Sequence, residues 1–269
     1  MEQRLIQLTR TKKYYIIIIM RLNAYLARQL GISRRNADEM IQKGFCELDG
    51  EIASFTDIAN ESTKIRVYKN GVWETLANSA QKHAAILFYK PIFSVVTKKD
   101  PQRRKTVYDI MPRKYHHMGY AGRLDYMSEG LMVFSNNGEL IHTLTHPSMG
   151  KIKVYLVSLK YPLSRDQIRD IEKGLVIPNE ESYEPVAISR TELGQMIGEK
   201  LPMYSSRNFD FLNFHKDHYV YAFHLQEGKK NEIRRICSYF GQDVLRLVRV
   251  EMGNYKLSFE LYKKKIIDL

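Results

Sequence analysis

The chain has 269 residues, 44% of them hydrophobic and 27% charged, with a formal net charge of +12 at pH 7. A chain this long buries most of its unfolded surface without needing a metal or disulfide, and the composition excludes a disordered tail protein, a collagen and a disulfide scaffold. Cys46 and Cys237 lie far apart with no CxxC, as expected in a reducing compartment. The longest apolar run, Tyr14 to Met20, is seven residues, whereas a membrane helix needs about 20, and no small-residue cleavage site marks a secretory signal. The expectation is a cytoplasmic protein, away from membranes, with a polyanionic partner.

The charge is unevenly spread. Residues 1–19 carry a net +3, residues 20–80 balance eight basic against eight acidic side chains, and residues 81–269 hold 30 basic and 21 acidic. Such a field favours phosphate backbones through counterion release, without sequence preference of its own.

Residues 1–19 show no amphipathic or capped element and read as a poorly ordered extension or the product of an upstream start codon. Residues 20–77 read as one small unit. Leu22, Tyr25, Leu26 and Leu30 recur at helical spacing up to Gly31. Ser33 is a natural N-cap for a second helix, Arg34 to Lys43, closed by Gly44. Short strands follow at Phe45–Leu48, Lys64–Tyr68 and Val72–Leu76, punctuated by Asp49-Gly50 and Asn70-Gly71 turns.

The polar stretch 78–83 reads as a linker, and residues 84–269 as a second, larger domain. Its first strand, Ala84–Tyr89, stops at Pro91; strands Val154–Leu159 and Tyr219–Leu225 alternate with helices Arg165–Lys173 and Glu232–Phe240. This order predicts a mixed α+β domain around a largely antiparallel sheet. Residues 198–218 read as an irregular surface insertion.

The most informative segment runs from Gly122-Arg123-Leu124-Asp125 through Ser128-Glu129-Gly130-Leu131 to Asn136-Asn137-Gly138. Leu131–Phe134 is a buried strand, Asn137-Gly138 a hairpin or helix-entry turn, and Arg123 and Asp125 lie on the loop ahead of the strand, where reactive groups are commonly placed. On its own the Arg–Asp pair reads equally well as a solvated surface pair. His146 has no second His or Cys at ligand spacing, so a zinc site is not expected and His146-Pro147-Ser148 reads as a shaped turn.

This segment resembles the catalytic motif of RNA pseudouridine synthases of the RsuA/RluB type, GRLD-x-x-T-x-G-L-L-L-L-T-N-D-G, with Ser128 and Asn137 replacing the pattern's Thr and Asp. Two more blocks follow in the family's order: His146-Pro147-Ser148 with Lys153-Val154-Tyr155, and Glu227-Gly228-Lys229-Lys230-Asn231-Glu232-Ile233-Arg234-Arg235. Leu245, Leu247, Arg249 and Gly253 also suit it. The small unit resembles the RNA-binding domain named after ribosomal protein four of the small subunit, so the likeness spans about residues 20–260.

The resemblance implies an isomerase that detaches uracil from its ribose, turns it and rejoins it through carbon 5, without metal or cofactor. Because a base in a stack is out of reach, the target uridine must be flipped out. Asp125 matches the essential aspartate, nucleophile or base. Arg234 matches the basic residue that pairs with it, and Tyr155 the tyrosine that packs against the base. Arg123 either fills the space the base vacates or contacts phosphate. Ribosomal RNA is the implied partner, large subunit rather than small on the Asp100-Pro101 and Thr106-Val107-Tyr108-Asp109 stretch, and a monomer is the implied state. Lys98, Lys99, Arg103, Arg104 and Lys105 are expected to grip phosphate, as are Arg28, Arg34, Arg35 and Lys43 on the small domain. The competing reading is a non-catalytic RNA-binding assembly factor, which has no reason to keep Asp125, Tyr155 and Arg234 together.

Overall fold

The computed structural model describes residues 20–60, 62–76, 84–178, 182–194, 203–204 and 207–269. The extension expected at 1–19 and the linker expected at 78–83 lie outside the described residues. The chain divides between His83 and Ala84 into two compact units.

In the first unit, helix α1 (Leu22–Leu30) ends at Gly31, whose φ of +66° lets its amide turn back onto the Ala27 carbonyl. Helix α2 (Arg34–Gln42) starts where the Ser33 hydroxyl accepts the Asn36 amide at 3.1 Å. Strands β1 (Cys46–Leu48), β2 (Glu51–Ile52), β3 (Ile65–Lys69) and β4 (Val72–Thr75) form an antiparallel sheet in the order β2-β1-β3-β4. Asp49-Gly50 and Asn70-Gly71 both take positive φ, the left-handed pairing that tight hairpins require. Leu22, Tyr25, Leu26, Ala37, Ile41 and Ile65 close the core between helices and sheet.

Among the described residues, the second unit is built on a ten-stranded sheet. Its main strands are β5 (Ala85–Lys90), β6 (Glu129–Ser135), β7 (Lys153–Leu159), β8 (Ala187–Gly194), β9 (Tyr219–Leu225), β10 (Val244–Met252) and β11 (Ile266–Asp268), in the spatial order β8-β9-β7-β10-β6-β5-β11. Every pairing along this path is antiparallel except β10 with β6. The central strands read as unbroken apolar runs because both faces are covered. On β5, Ile86 and Phe88 enter one core while Leu87 and Tyr89 enter the other; on β7, Tyr155 and Val157 alternate in the same way with Val154 and Leu156. Helices α4 (Arg165–Lys173) and α5 (Glu232–Tyr239) bury Ile168, Ile171, Ile233 and Ile236 on the first face, and α6 (Phe259–Lys264) buries Leu261 on the second. Between β6 and β7 lies α3 (Gly138–Thr145), capped by the Asn137 side chain, so Asn137-Gly138 is a helix entry rather than a hairpin.

One expectation is corrected. The described part of the 198–218 segment is only partly an irregular surface insertion: Met203–Tyr204 pairs with β8 and Arg207–Leu212 forms a 3-10 helix that buries Phe209 and Leu212 in the second core, while residues 213–218 are irregular and largely exposed, as expected. The two apolar residues, three apart, fall on one side of the 3-10 turn.

What positions the site is the parallel join. Glu129 and Gly130 at the start of β6 pair with Val248 and Arg249 of β10. Gly130 has φ +112°, and a Cβ there would stand 2.4 Å from the Arg249 carbonyl oxygen. Only glycine lets the two backbones approach this closely.

Candidate active site

Residues 122–128 form the loop that delivers the chain into β6. Gly122 turns with φ +66°, Arg123 is exposed, Leu124 is buried as an anchor, and Asp125 is half-buried. The four carbonyl groups that follow are each held by a different donor. The Ser128 amide donates to Asp125 at 3.0 Å and the Phe93 amide to Tyr126 at 2.8 Å. The Arg234 guanidinium donates to Met127 at 2.9 Å and the Lys90 ammonium to Ser128 at 2.7 Å. With the carbonyls of Asp125 to Ser128 all satisfied, this half of the loop is held in place from several sides.

The side chain of Asp125, by contrast, accepts no hydrogen bond from the described residues. It lines a cavity of about 60 Å³ together with Arg123, Ser128, Tyr155, Asn231 and Glu232. The Ser128 hydroxyl in its wall is buried and unpartnered among the described residues. Tyr155, 8% exposed, reaches the cavity from the middle of β7, where it lies between Phe223 and Arg249 of the flanking strands. The sheet thus brings together three residues singled out from the sequence, Arg123, Asp125 and Tyr155, from two segments thirty residues apart in the chain.

Arg234 is placed differently from the expectation. It forms no ion pair with Asp125: its fork is taken by two main-chain carbonyls, Val244 at 2.9 Å and Met127 at 2.9 Å. The reason is its position on α5, from which the guanidinium spans the gap between the start of β10 and the Asp125 loop. Burial pulls its pKa down and the charge of Asp125 counters that, so the two interact through space without touching. Arg234 is therefore a strut that also lends positive field.

Lys90, at the end of β5, escapes sequence reading altogether. It is fully buried, and its ammonium donates to the carbonyls of Pro91 at 3.1 Å and Ser128 at 2.7 Å. Burial lowers its pKa to about 8, opposed by the charges of Asp125 and Glu129. Glu232 is the other unforeseen group. It is 4% exposed, accepts the Lys229 amide at 2.8 Å, and its carboxyl is pushed up chiefly by burial. On the far face of the sheet Glu129 accepts Tyr89 Oη and Arg246 Nε, which pins the first residue of β6.

The predicted phosphate contacts are exposed, except Arg28. Lys98, Lys99, Arg103, Arg104 and Lys105 are exposed on a loop whose ends are tied by hydrogen bonds of Val95 to Lys105 and Val107. Arg104 is clasped to Asp100, so its charge is partly balanced. In the first unit Arg34, Arg35 and Lys43 are exposed and Arg28 is half-buried. Among the described residues, no group of three or more His, Cys, Asp or Glu side chains could hold a metal ion, and no helix is long and apolar enough to cross a membrane. His146 Nδ1 lies 2.7 Å from Ser148 Oγ, and His146 caps the 3-10 turn Pro147–Met149.

Known proteins resemble the chain along most of its length. The family model of RNA pseudouridylate synthases matches residues 84–239. An uncharacterized RNA pseudouridine synthase of Helicobacter pylori (strain J99) is 27% identical over 241 residues, covering 89% of this chain and 86% of that protein. Ribosomal large subunit pseudouridine synthase B of Yersinia pestis is 30% identical over 241 residues, covering 88% and 68%; the Escherichia coli (strain K12) protein of that name is 28% identical over 239 residues, covering 88% and 75%. Among solved structures, a crystal structure of a pseudouridylate synthase superposes with a TM-score of 0.59 at 21% identity, covering 93% of this chain and 96% of that one, a likeness of fold.

Proposed function

The chain belongs to the RNA pseudouridylate synthase family, and from that premise we propose that it converts specific uridines of ribosomal RNA, in the large subunit, to pseudouridine, with Asp125 as the reacting carboxylate. The observation that carries this reading is the contrast on one loop. The backbone from Asp125 to Ser128 is tied at every carbonyl, while the Asp125 carboxylate is left open to a cavity it shares with Tyr155.

That arrangement suits the reaction. The bond between the ribose C1′ and N1 of uracil breaks, a bond from C1′ to C5 forms, the proton on C5 departs, and N1 gains one. Nothing is oxidised or reduced, so no redox partner enters. A carboxylate carried on a fixed backbone can add to the sugar or base at a smaller cost of alignment. Tyr155 presents a flat ring for the turned base and a hydroxyl at its tip. The target nucleotide is extruded from its stack to reach the cavity, and the exposed cations of residues 98–105 offer phosphate contacts. Arg123, exposed beside the cavity, is free to follow the base out or to meet a phosphate. The relatives named for the large ribosomal subunit support the choice of RNA.

The test is to map pseudouridines in ribosomal RNA from cells with and without the gene, and from cells carrying Asp125→Asn. Loss of one or a few large-subunit sites in both altered strains is the expected result. Full modification in the Asp125→Asn strain overturns the assignment of the carboxylate; modification unchanged in the strain without the gene overturns the substrate.

A further inference from the structure

Beside the cavity lies a surface that the reaction leaves unexplained. Four large apolar side chains in two short segments are exposed around Asp125: Ile92 at 40%, Phe93 at 51%, Tyr126 at 36% and Met127 at 47%. The rings of Phe93 and Tyr126 are 5.6 Å apart, centroid to centroid, tilted by 58°. We propose that Phe93 and Tyr126 form a stacking platform for an unpaired nucleobase of the RNA substrate, the one adjoining the reacting uridine; this rests on the reading of the chain as a pseudouridine synthase.

The backbone of Phe93 is the first argument. Its φ is +60°, a region that disfavours any residue with a Cβ and a bulky aromatic in particular. A glycine would sit there without strain. The ring gains little in packing to offset this, since half of it faces water. Residues held in such conformations concentrate where they contact a ligand.

Attachment is the second. The Phe93 amide donates to the Tyr126 carbonyl at 2.8 Å, and Tyr126 follows Asp125 directly. Both rings are thereby fixed to the loop that carries the reacting carboxylate.

Charge is the third. The Arg104 guanidinium lies 5.9 Å from the centroid of the Tyr126 ring, clasped to Asp100, and the exposed Lys98, Lys99, Arg103 and Lys105 surround it in sequence. Aromatic faces beside backbone-binding cations are the combination that holds single-stranded nucleic acid.

The chemistry gives the platform its purpose. When the uridine is flipped out, its neighbour loses a stacking partner. A ring pair at the rim of the cavity replaces that partner and holds the strand in the open form. Because every base offers a π-face, the platform tolerates any sequence beside the target.

The test uses the full-length protein and two short single-stranded RNAs, each with one central uridine and 2-aminopurine on one side of it. Binding to the wild-type protein and to Asp125→Asn should quench the 2-aminopurine in one of the two probes. Phe93→Gly and Tyr126→Ala should each weaken binding roughly tenfold and together abolish the quenching, with the salt dependence unchanged because no cation is removed. Phe93→Trp and Tyr126→Phe, which keep the rings, should keep both signals, and Phe93→Gly should melt no lower than wild type. Unchanged affinity and quenching in the ring-free double variant would overturn the platform, as would loss of binding in the ring-keeping variants. The outcome is separable from the activity itself: a wild-type protein that forms no pseudouridine yet shows ring-dependent quenching sinks the proposed reaction and leaves the platform standing.

Discussion

The ammonium of Lys90 lies 2.7 Å from the main-chain carbonyl of Ser128, so a fully buried cation anchors the last residue of the Asp125 loop. Its fall in pKa from 10.5 to about 8 corresponds to about 3 kcal/mol of folding free energy. The unfolded chain holds this proton more tightly, so between pH 8 and 10.5 it binds more protons than the native state and stability rises with pH. Below pH 8 both states are protonated and the penalty is constant. Denaturant titrations of wild type and Lys90→Met across this range should therefore diverge in favour of wild type by about 3 kcal/mol as pH rises from 8 to 10.5. A constant difference would mean the lysine is not the source. At pH 7 the variant should also lose at least tenfold in kcat, since the loop loses a fixed point.

Arg234 divides its guanidinium between the carbonyls of Val244 and Met127, a task for a rigid fork and not for a point charge. Arg234→Lys keeps the charge near Asp125 but can reach only one of the two carbonyls. Its kcat should fall by about 100-fold, the effect of a displacement of about 1 Å at the reacting group, while KM changes little. If Arg234→Lys is nearly as active as wild type, the residue acts through its field and not as a strut.

Much of the fold is visible in the sequence where a local signal decides the outcome. Gly31 and Ser33 set helix ends because capping is a property of a few adjacent residues. The apolar run at Leu131–Phe134 becomes a central strand because nothing but burial on both faces suits it. The site is legible only in part. Asp125 and Tyr155 are recognisable in motifs that resemble the family's, and for Arg234 the resemblance implies that it is near, not where its fork points. Nothing local singles out Lys90, since its burial depends on Ser128, 38 residues away. Residues 207–212 lack the period of an α-helix or strand, so the burial of Phe209 and Leu212 is a tertiary outcome.

Gly130 is the tightest constraint at the start of β6. Any side chain there combines a φ of +112° with a Cβ 2.4 Å from the Arg249 carbonyl oxygen and 2.8 Å from its amide nitrogen, and backbone cannot step aside as a side-chain tip can. Gly130→Ala should cost at least about 2 kcal/mol, more than the strain of the dihedral alone. The check is a lower urea midpoint at an unchanged m-value. A midpoint within error of wild type would show that β6 and β10 can part without loss.

In the first unit Arg34 and Arg35 open helix α2 with both side chains exposed, and the hydrogen bond that starts the helix comes from Ser33. Replacing both with Ala therefore leaves the cap and the core intact, and the melting temperature should not move. If they neutralise RNA phosphates, the double variant releases fewer counterions on binding. The slope of log K against log salt should then become shallower by roughly 1 to 2, with affinity falling most at low ionic strength. Large-subunit ribosomal RNA transcripts titrated at several salt concentrations supply the measurement. A slope equal to that of wild type, with affinity equally unchanged, would place the RNA grip of this unit on a face other than the start of α2.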